Sequence, residues 1–359
     1  MEIIKPGINI NFLNKQKIAF FVSAFLILLS LLTLIAHKGP KYGIDFSGGT
    51  LIQLKFSSPT AIDDIKSGFT AMDINVSSVQ EYGAGKKGNY QYLVNTDMTG
   101  ITGKENFNDK VVNTLKSTTG QEAEITRIEM VGAQVGKDLR GKALLAIFFA
   151  LLFINIYISG RFELKWVESA IVAGGLIGAV KLVSMLNVSI PYLILVALIV
   201  SLALFWVLKL KYAMGAIVAL IHDITITVGV FSLFDKEFTL PIIAALLTII
   251  GYSLNDTIVL FDRIRENLRK YNRKTLAENI NTSINQTLSR TVLTSITTLI
   301  VVVALFLFGG SIIHDFAFAL IVGVLIGTYS SVFVASPTLV LMQGAGISTG
   351  QQAPAEANG

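Results

Sequence analysis

The sequence contains no cysteine, and its few histidines are His37, His222 and His314, which lie far apart. The missing cysteine excludes disulfides, thiolate nucleophiles and cysteine-bound metals. The histidine spacing fits no metal-ligand pattern. Charged residues are also scarce, at 15% of the chain, whereas soluble domains have about 25%. We expect a protein that is not an enzyme, and the sequence shows no pattern of catalytic residues or of residues that bind a cofactor or metal.

Hydrophobic residues make up 52% of the 359 residues, and the mean hydropathy is +0.64. These values predict a polytopic α-helical membrane protein. The net charge of +5 does not indicate nucleic-acid binding, because much of the Lys and Arg lies in short loops between apolar runs and sets their orientation. The first apolar run, Ile18–Ala36, lacks a cleavage site before His37, so we interpret it as a retained anchor.

Basic residues near the start, Lys5, Lys15 and Lys17, place the N-terminus in the cytoplasm by the positive-inside rule. The predicted organisation is a cytoplasmic segment (1–17), a first span (18–36), a soluble domain outside the cytoplasm (37–141), a bundle of further helices (142–342) and a disordered cytoplasmic tail (343–359). Both termini are cytoplasmic and about eight helices span the membrane. If 167–186 does not span, about six spans remain and the parity is kept. Residues 275–290 are predicted as a separate amphipathic surface helix before the span 291–308.

The soluble domain is predicted to be α+β. Residues 50–56 alternate between apolar and polar, as a half-buried strand does. Helices are predicted at 59–72 and 105–117, and further strands at 76–81, 90–94 and 122–131. The order β-α-β-β-α-β is that of a ferredoxin-like fold.

Two glycine motifs flank this domain: Gly43-Ile-Asp-Phe-Ser-Gly-Gly-Thr50 before it and Val131-Gly-Ala-Gln-Val-Gly-Lys-Asp-Leu139 after it. Glycine permits positive φ and close approach of the backbone. One interpretation is a pair of ordinary tight turns. The other is a pair of hinges that let the domain tilt on the bundle, formed by Gly43, Gly48, Gly49, Gly132 and Gly136.

The stretch Gly251–Arg265 carries Asn255 and Asp256 directly after an apolar run. A carboxylate at membrane depth costs about 2.5–3.5 kcal/mol, so it rarely faces lipid. Helical periodicity puts Tyr252, Asn255, Asp256, Val259 and Arg263 on roughly one face. Asp256 then either packs or caps, or it belongs to a polar relay through the bundle.

A second acidic residue, Asp223, follows His222 near the centre of another predicted span and shares a face with Thr227. Adjacent side chains on a helix point about 100° apart, so we expect no bond between His222 and Asp223. No nucleophile pattern accompanies them, which argues against a protease. We predict a charge relay that couples proton entry to helix movement, formed by Asp223, Asn255, Asp256 and Arg263. The pair His314-Asp315 is interpreted as interfacial.

Four stretches together resemble the smaller membrane subunit of the SecD/SecF protein-export family, and the resemblance covers nearly the whole chain. Two are short: the Gly43–Thr50 motif and Phe261-Asp-Arg-Ile-Arg-Glu-Asn267. The others are Ala216-Ile-Val-Ala-Leu-Ile-His-Asp223 and Ala244-Ala-Leu-Leu-Thr-Ile-Ile-Gly-Tyr-Ser-Leu-Asn-Asp-Thr257. The resemblance implies a fold like the resistance-nodulation-division transporters and a periplasmic domain after the first helix. It also implies proton-driven assistance to late preprotein translocation in the bacterial inner membrane. The implied partners are SecD, the Sec translocon channel, preproteins and membrane lipid, without nucleic acid.

The chain departs from the family pattern in two places. The residues between Lys165 and Tyr212 look like an inserted helical hairpin, at about 166–210. Ala133 stands where the family often has proline, which would give a freer hinge. The alternatives to export are a self-contained small-molecule exporter and a purely structural scaffold of the channel. The coupling ion, H⁺ or Na⁺, stays open at this stage.

Overall fold

The computed structural model describes residues 8–82, 90–98, 107–163, 166–185, 190–271 and 273–344. The predicted disordered tail lies outside these ranges, apart from its first two residues. Helix α1 spans Gln16–Ala36 after a 3-10 turn at Leu13–Lys15. The elements of the small domain follow: α2 (Ile44–Ser47), β1 (Gly49–Phe56), α3 (Ile62–Thr70), β2 (Val76–Tyr82), β3 (Tyr90–Thr96), α4 (Phe107–Thr119) and β4 (Ala123–Val131).

The helices of the bundle come after the small domain. They are α5 (Ala133–Glu163), α6 (Trp166–Ser184), α7 (Ile190–Val207), α8 (Lys211–Leu233), α9 (Leu240–Lys270), α10 (Leu276–Phe308), α11 (Ser311–Ser330) and α12 (Ser336–Gly344). A π-helical turn at Ser331–Ala335 joins α11 to α12.

The small domain is a four-stranded sheet in the order β2-β3-β1-β4, and neighbouring strands are antiparallel. Strand β1 alternates as its sequence predicts, burying Ile52, Leu54 and Phe56. Helices α3 and α4 cover this face with Phe69 and Leu115, among other residues. The strands and helices thus lie, within a few residues, where the sequence pattern predicts them.

Six helical segments in the described ranges are long and apolar enough to cross a membrane. They are Leu13–Ala36, Ala133–Phe162, Lys211–Leu233, Leu240–Lys270, Leu276–Phe308 and Ile313–Met342. The two further spans that the sequence predicts correspond to α6 and α7, which are not among these six. Leu176 of α6 and Phe205 of α7 are buried in the same core as α8, so this hairpin packs on the bundle.

Helix α8 lies at the centre of the bundle, where it packs against α1, α5, α7, α9, α11 and α12. Small residues explain this position: Gly229 lies so close to Ser30 of α1 that a Cβ there would overlap it. Similar contacts bring α11 onto α9, where Gly327 packs against Ser253 and Gly323 against Ile249. These small residues therefore allow α1 to approach α8, and α11 to approach α9, at close range.

Two predicted boundaries are wrong. Residues 276–308 form one continuous helix instead of a surface helix and a separate span. A capping box between Thr275 and Glu278 starts it, and no glycine or proline interrupts it. Helix α5 begins at Ala133, whereas the sequence predicts the bundle to begin at 142, and only Gly132 separates this helix from β4. Gly136 therefore lies inside a helix and not in a loop.

Candidate functional site

Asp223, in the middle of α8, has no exposed surface. Its Oδ2 accepts hydrogen bonds from Ser253 Oγ of α9 (2.5 Å) and Ser330 Oγ of α11 (2.8 Å). Its Oδ1 lies 2.9 Å from Nδ1 of His222. Thr227 stands one turn further along the same face, as predicted, and donates to the Asp223 carbonyl. A single buried carboxylate thus joins three helices through side-chain hydrogen bonds.

The expectation that His222 and Asp223 cannot bond each other is wrong. The Cα–Cβ directions diverge by about 100°, but the side-chain torsions let the imidazole turn back to the carboxylate. The other ring nitrogen, Nε2, lies 3.1 Å from Ser23 Oγ of α1. Ser23 in turn lies 3.0 Å from the Tyr329 hydroxyl, which also donates to the Ala19 carbonyl at 2.7 Å. Histidine therefore extends the Asp223 cluster to the first helix.

Asp256 is buried on the same face of α9 as Ser253, one turn further along the helix. Its Oδ2 has no hydrogen-bond partner among the described residues. Arg290 of α10 lies close enough to act on it electrostatically. This carboxylate therefore differs from Asp223, because a charge and not a ring of donors faces it.

The remaining predicted relay residues lie apart from the two aspartates. Asn255 is exposed, about 100° around the helix from Asp256. Arg263 bonds Gln286 of α10 at 2.7 Å and Glu266 at 2.8 Å. Within the described ranges, no hydrogen bond or ion pair joins Asn255 or Arg263 to Asp223 or Asp256. The structure thus brings Asp223 and Asp256 onto buried helix faces and leaves the other two outside.

The sequence interpretation did not select five residues that the structure adds: Ser23, Ser253, Tyr329, Ser330 and Arg290. For Ser253 a signal existed. The apolar residues Ile249, Leu260 and Ile264 mark the buried face of α9 by their helical spacing, and that face includes Ser253 and Asp256 but not Asn255. No comparable local signal marks Ser23 or Tyr329, because their neighbours come from more than 100 residues away.

These contacts suit proton chemistry. A hydroxyl donates one proton and accepts others, and a histidine ring can do both through its two nitrogens. An ionised Asp223 matches the Ser253 and Ser330 hydroxyls, which donate to it. A proton on Oδ2 of Asp223 would need one of them to turn and accept, whereas a proton on Oδ1 would face His222. In the ranges described, no group of three or more His, Asp or Glu side chains is placed to hold a metal ion.

The glycine motifs meet at a joint between the domain and the bundle. Gly48 and Gly49 have φ values of +76° and +131°, and a Cβ on Gly49 would overlap the Thr96 carbonyl. A Cβ on Gly136 of α5 would lie 2.9 Å from the Gly48 nitrogen. A Cβ on Gly43 would lie 2.8 Å from Thr239, whereas one on Gly132 would meet nothing within 4 Å. The joint is thus closely packed at four of its five predicted glycines.

The turn between α8 and α9 fastens this joint. Glu237 is buried and accepts hydrogen bonds from Ser78 Oγ of β2 and from Asn95 Nδ2 of β3, the latter at 2.6 Å. The backbone adds bonds from Phe238 N to the Lys41 carbonyl (2.7 Å) and from Gly43 N to the Phe238 carbonyl (2.8 Å). The turn between α8 and α9 therefore serves as the docking point of the domain.

Comparison with family models gives two matches. A model described as protein export membrane protein SecD/SecF, C-terminal, matches residues 110–202 and 181–345. A model described as the SecD/SecF GG motif matches residues 33–60. The GG-motif match contains Gly48 and Gly49, and the C-terminal match contains Asp223 and Asp256. The two segments of the first match overlap within the α6–α7 hairpin.

Curated relatives are similar over most of the chain. The protein translocase subunit SecF of Magnetococcus marinus is 39% identical over 345 residues, covering 95% of this chain and 94% of that protein. SecF of Vibrio alginolyticus is 39% identical over 335 residues, covering 93% and 90%. SecF of Escherichia coli O157:H7 is 35% identical over 319 residues, covering 89% and 83%.

Solved structures give the same likeness. The crystal structure of SecDF, a translocon-associated membrane protein from Thermus thermophilus, aligns with a TM-score of 0.68 at 29% identity and covers 94% of this chain. SecDF in its super-membrane-facing form aligns with a TM-score of 0.59 at 30% identity and covers 96%. This chain spans 39–40% of the length of those two solved chains.

Proposed function

The chain belongs to the SecD/SecF family of protein-export membrane proteins, and we propose on this premise that it is a SecF subunit of a bacterial Sec translocase. In this role it is an accessory subunit without catalytic activity of its own. It works with SecD to convert the proton motive force into late movement of preproteins across the inner membrane. One observation carries the coupling role: Asp223 is fully buried and bonded to residues of two other helices.

A charge in the middle of a membrane helix costs about 2.5–3.5 kcal/mol of free energy on the lenient insertion scale. Packing alone would be served by an apolar residue, so a retained carboxylate at this depth is a functional candidate. Protonation removes the charge that strengthens the bonds from Ser253 and Ser330, and a proton carried on Oδ2 also requires one of these hydroxyls to accept instead of donating. Those hydroxyls belong to α9 and α11, so a change in proton occupancy reaches the contacts between helices.

Asp256 is the second proposed proton carrier, with Arg290 as its counter-charge. We also retain Asn255 and Arg263 in the proposal, although neither lies beside the two aspartates. Asn255 faces outward from α9, where a partner subunit could reach it, and Arg263 lies at the end of α9 that we propose to be cytoplasmic. A proton crossing the membrane potential gains about 2.3 kcal/mol per 100 mV, which is enough to shift a two-state bundle.

The finer architecture is part of the same proposal. The sheet order β2-β3-β1-β4 with two covering helices supports a ferredoxin-like domain, which we assign to the periplasmic side. Both termini are then cytoplasmic. The α6–α7 hairpin adds two spans to the six, which preserves the orientation of all that follows. We retain the hinge role for Gly43, Gly48, Gly49, Gly132 and Gly136, now as the pivot of a closely packed joint.

The proposed partners are SecD, the Sec channel, preproteins and lipid. This chain corresponds to about two-fifths of each SecDF chain, which supports a SecD partner for the remaining part. Large apolar side chains are exposed along α1 and α10, including Phe21, Phe25 and Ile300. In a multi-pass membrane protein such faces contact lipid or another subunit.

The test is preprotein export into vesicles that contain the purified complex with SecD and the channel, with and without a proton gradient. We expect Asp223→Asn to abolish the increment that the gradient adds and to leave export without a gradient unchanged. Asp235→Asn is the matched control, because Asp235 is exposed in the α8–α9 turn. A sodium gradient in place of the proton gradient identifies the coupling ion.

Three outcomes would contradict the proposal. Equal loss of export in both conditions would make Asp223 a packing residue and favour the structural scaffold. An unchanged increment would remove Asp223 from the coupling path. Gradient-driven efflux of a small molecule by this chain alone, without SecD, would favour the self-contained exporter.

A further inference from the structure

The Asp223 cluster has a branch that the coupling role of Asp223 itself does not use. His222 continues the hydrogen-bond chain away from Asp223, to Ser23 of α1 and then to Tyr329 of α11. Ser23 is 8% exposed and His222 is 4% exposed. Tyr329 is half-buried. The branch therefore leads from the fully buried centre toward more accessible residues.

The branch also has a direction along the membrane. The Tyr329 hydroxyl donates to the carbonyl of Ala19, which lies one turn from the start of α1. Asp223 lies in the middle of α8, where its neighbours on the other helices are Ser253 and Ser330. The hydrogen-bonded chain thus runs from mid-bundle to the N-terminal end of the first helix, the end that we assign to the cytoplasm.

Each link has the chemistry that proton transfer requires. The distances between Asp223 Oδ1, His222 and Ser23 are 2.9 and 3.1 Å, and the Ser23–Tyr329 distance is 3.0 Å. Either hydroxyl of the last pair can be the donor. The imidazole can carry its proton on either nitrogen. A purely structural brace would not need every link to be both a donor and an acceptor.

We propose that His222, Ser23 and Tyr329 form a proton relay between Asp223 and the cytoplasmic end of α1, an inference that rests on the proposed coupling role of Asp223. In one passage, protonated Asp223 gives its proton to Nδ1 of His222, and Nε2 gives its own proton to Ser23. Ser23 passes its hydroxyl proton to Tyr329, whose hydroxyl turns from the Ala19 carbonyl and gives its proton to water. One proton leaves Asp223, one reaches water, and His222 ends in its other tautomer.

After the passage the Nδ1–H of His222 donates to ionised Asp223. A second passage requires the hydroxyls to rotate back and the imidazole to turn away from Asp223, where it releases the Nδ1 proton to water and takes one from water at Nε2. No residue of the chain keeps a net charge after the passage, apart from Asp223, which is left ionised and again matches the hydroxyls of Ser253 and Ser330. The relay thereby returns the cluster to the arrangement that the structure shows.

The test removes one link at a time in the full complex in vesicles. Ser23→Ala and Tyr329→Phe each delete a hydroxyl, and His222→Gln keeps a donor and an acceptor in a side chain of similar reach that does not relay protons. We expect all three to lose the gradient-dependent increment of export while export without a gradient and the thermal unfolding temperature stay as in the wild type. Ser23→Thr, which keeps the hydroxyl, is expected to keep the increment.

Ser295→Ala is the matched control for Ser23→Ala. Ser295 is also buried and also bonds a hydroxyl of α11, that of Thr328 at 2.7 Å, but it belongs to a different pair of helices. It is expected to keep the full increment. Loss of the increment in Ser295→Ala would overturn the relay, because any hydroxyl deletion in the bundle would then have the same effect.

Asp223→Asn in the same series separates the two proposals. If Asp223→Asn loses the increment and the three relay variants keep it, the relay is wrong and the coupling role stands. If Asp223→Asn also keeps the increment, the coupling role fails and the relay fails with it. Loss of export in both conditions by the relay variants, together with a lower unfolding temperature, would make the branch a brace.

Discussion

Asp223 and Glu237 are two buried carboxylates in the same protein, and their surroundings differ. Asp223 lies inside the bundle, and its partners are side chains of α8, α9 and α11. Glu237 lies in the turn between α8 and α9, and its partners belong to the sheet of the small domain. Each carboxylate joins elements that are distant in the sequence. Only the second is accompanied by backbone hydrogen bonds between the joined parts.

The two regions therefore differ in which of their hydrogen bonds can rearrange. At Asp223, hydroxyls and an imidazole provide the bonds, and all of them can reorient when a proton arrives or leaves. At the joint, the backbone of residues 41–43 is fixed to Phe238, and Asp45 accepts from the Leu240 nitrogen at the start of α9. Backbone bonds do not exchange donor and acceptor roles. We therefore assign switching to the bundle centre and force transmission to the joint.

The largest effect on stability is expected from Gly49→Ala at the joint. Gly49 has a φ of +131° and an added Cβ would overlap the Thr96 carbonyl. Such a backbone conformation costs a non-glycine residue on the order of 1–3 kcal/mol, before the overlap is counted. We expect a clear fall in the unfolding temperature of the purified protein in detergent, measured by loss of helical and sheet circular dichroism.

Gly132→Ala is the control for this prediction. Gly132 lies on the other side of the same joint, and an added Cβ would meet nothing within 4 Å. Its unfolding temperature should match that of the wild type. An equal fall for both variants would show that the joint depends on glycine flexibility in general, as the hinge interpretation requires, and not on close packing at Gly49.

A smaller effect is expected from Glu237→Gln. Ser78 and Asn95 both donate to Glu237. The glutamine amide offers one of them its oxygen but faces the other with its NH2 group, and a buried polar group left without its partner costs about 1–3 kcal/mol. The backbone bonds of the joint remain, so we expect the domain to stay folded and to take a wider range of orientations on the bundle. Spin labels on Ser117→Cys and Val301→Cys report this as a broader distance distribution, and the cysteine-free chain adds no other label site.

Asp235→Asn serves here as well, because it removes a carboxylate two residues away from Glu237 whose bond to Lys41 is exposed, and solvent screens such a pair. Its distance distribution should equal that of the wild type. A distribution that is unchanged in Glu237→Gln would show that the backbone bonds alone hold the domain. The contrast between the two carboxylates would then lose its basis.

Much of this architecture could be predicted from the sequence, because the signals are local. Strand patterns predict β1 to β4 within a few residues, and apolar length predicts the six segments that are long enough to cross a membrane. The wrong predictions have two different causes. The bond between His222 and Asp223 depends on side-chain torsions, and the continuity of α10 depends on the absence of a helix breaker near 290, which the change from polar to apolar composition concealed.

The site itself was predictable only in part. Asp223 and Asp256 could be found because a carboxylate inside an apolar run is costly wherever it points. The direction of Asn255 depends on which face of α9 is buried, and that requires weighing all the apolar positions of the helix together. Ser23, Tyr329 and Arg290 could not be found, since their contacts with the site arise from packing between helices distant in the sequence.

The smallest effect is expected from Lys116→Ala, which removes an exposed ion pair in the same domain. Lys116 lies 2.7 Å from Glu122, as close as many of the contacts at Asp223, but both side chains are largely exposed. The hydrogen bond and charge of Lys116 lower the pKa of Glu122. A lowered pKa stabilises the folded state above the ordinary pKa of the carboxyl and loses this contribution as the pH falls through the lowered value. Since solvent screens exposed pairs, the variant should unfold at the wild-type temperature at pH 7. A clear fall in the unfolding temperature would mean that the short distance, and not burial, decides what a carboxylate contributes here.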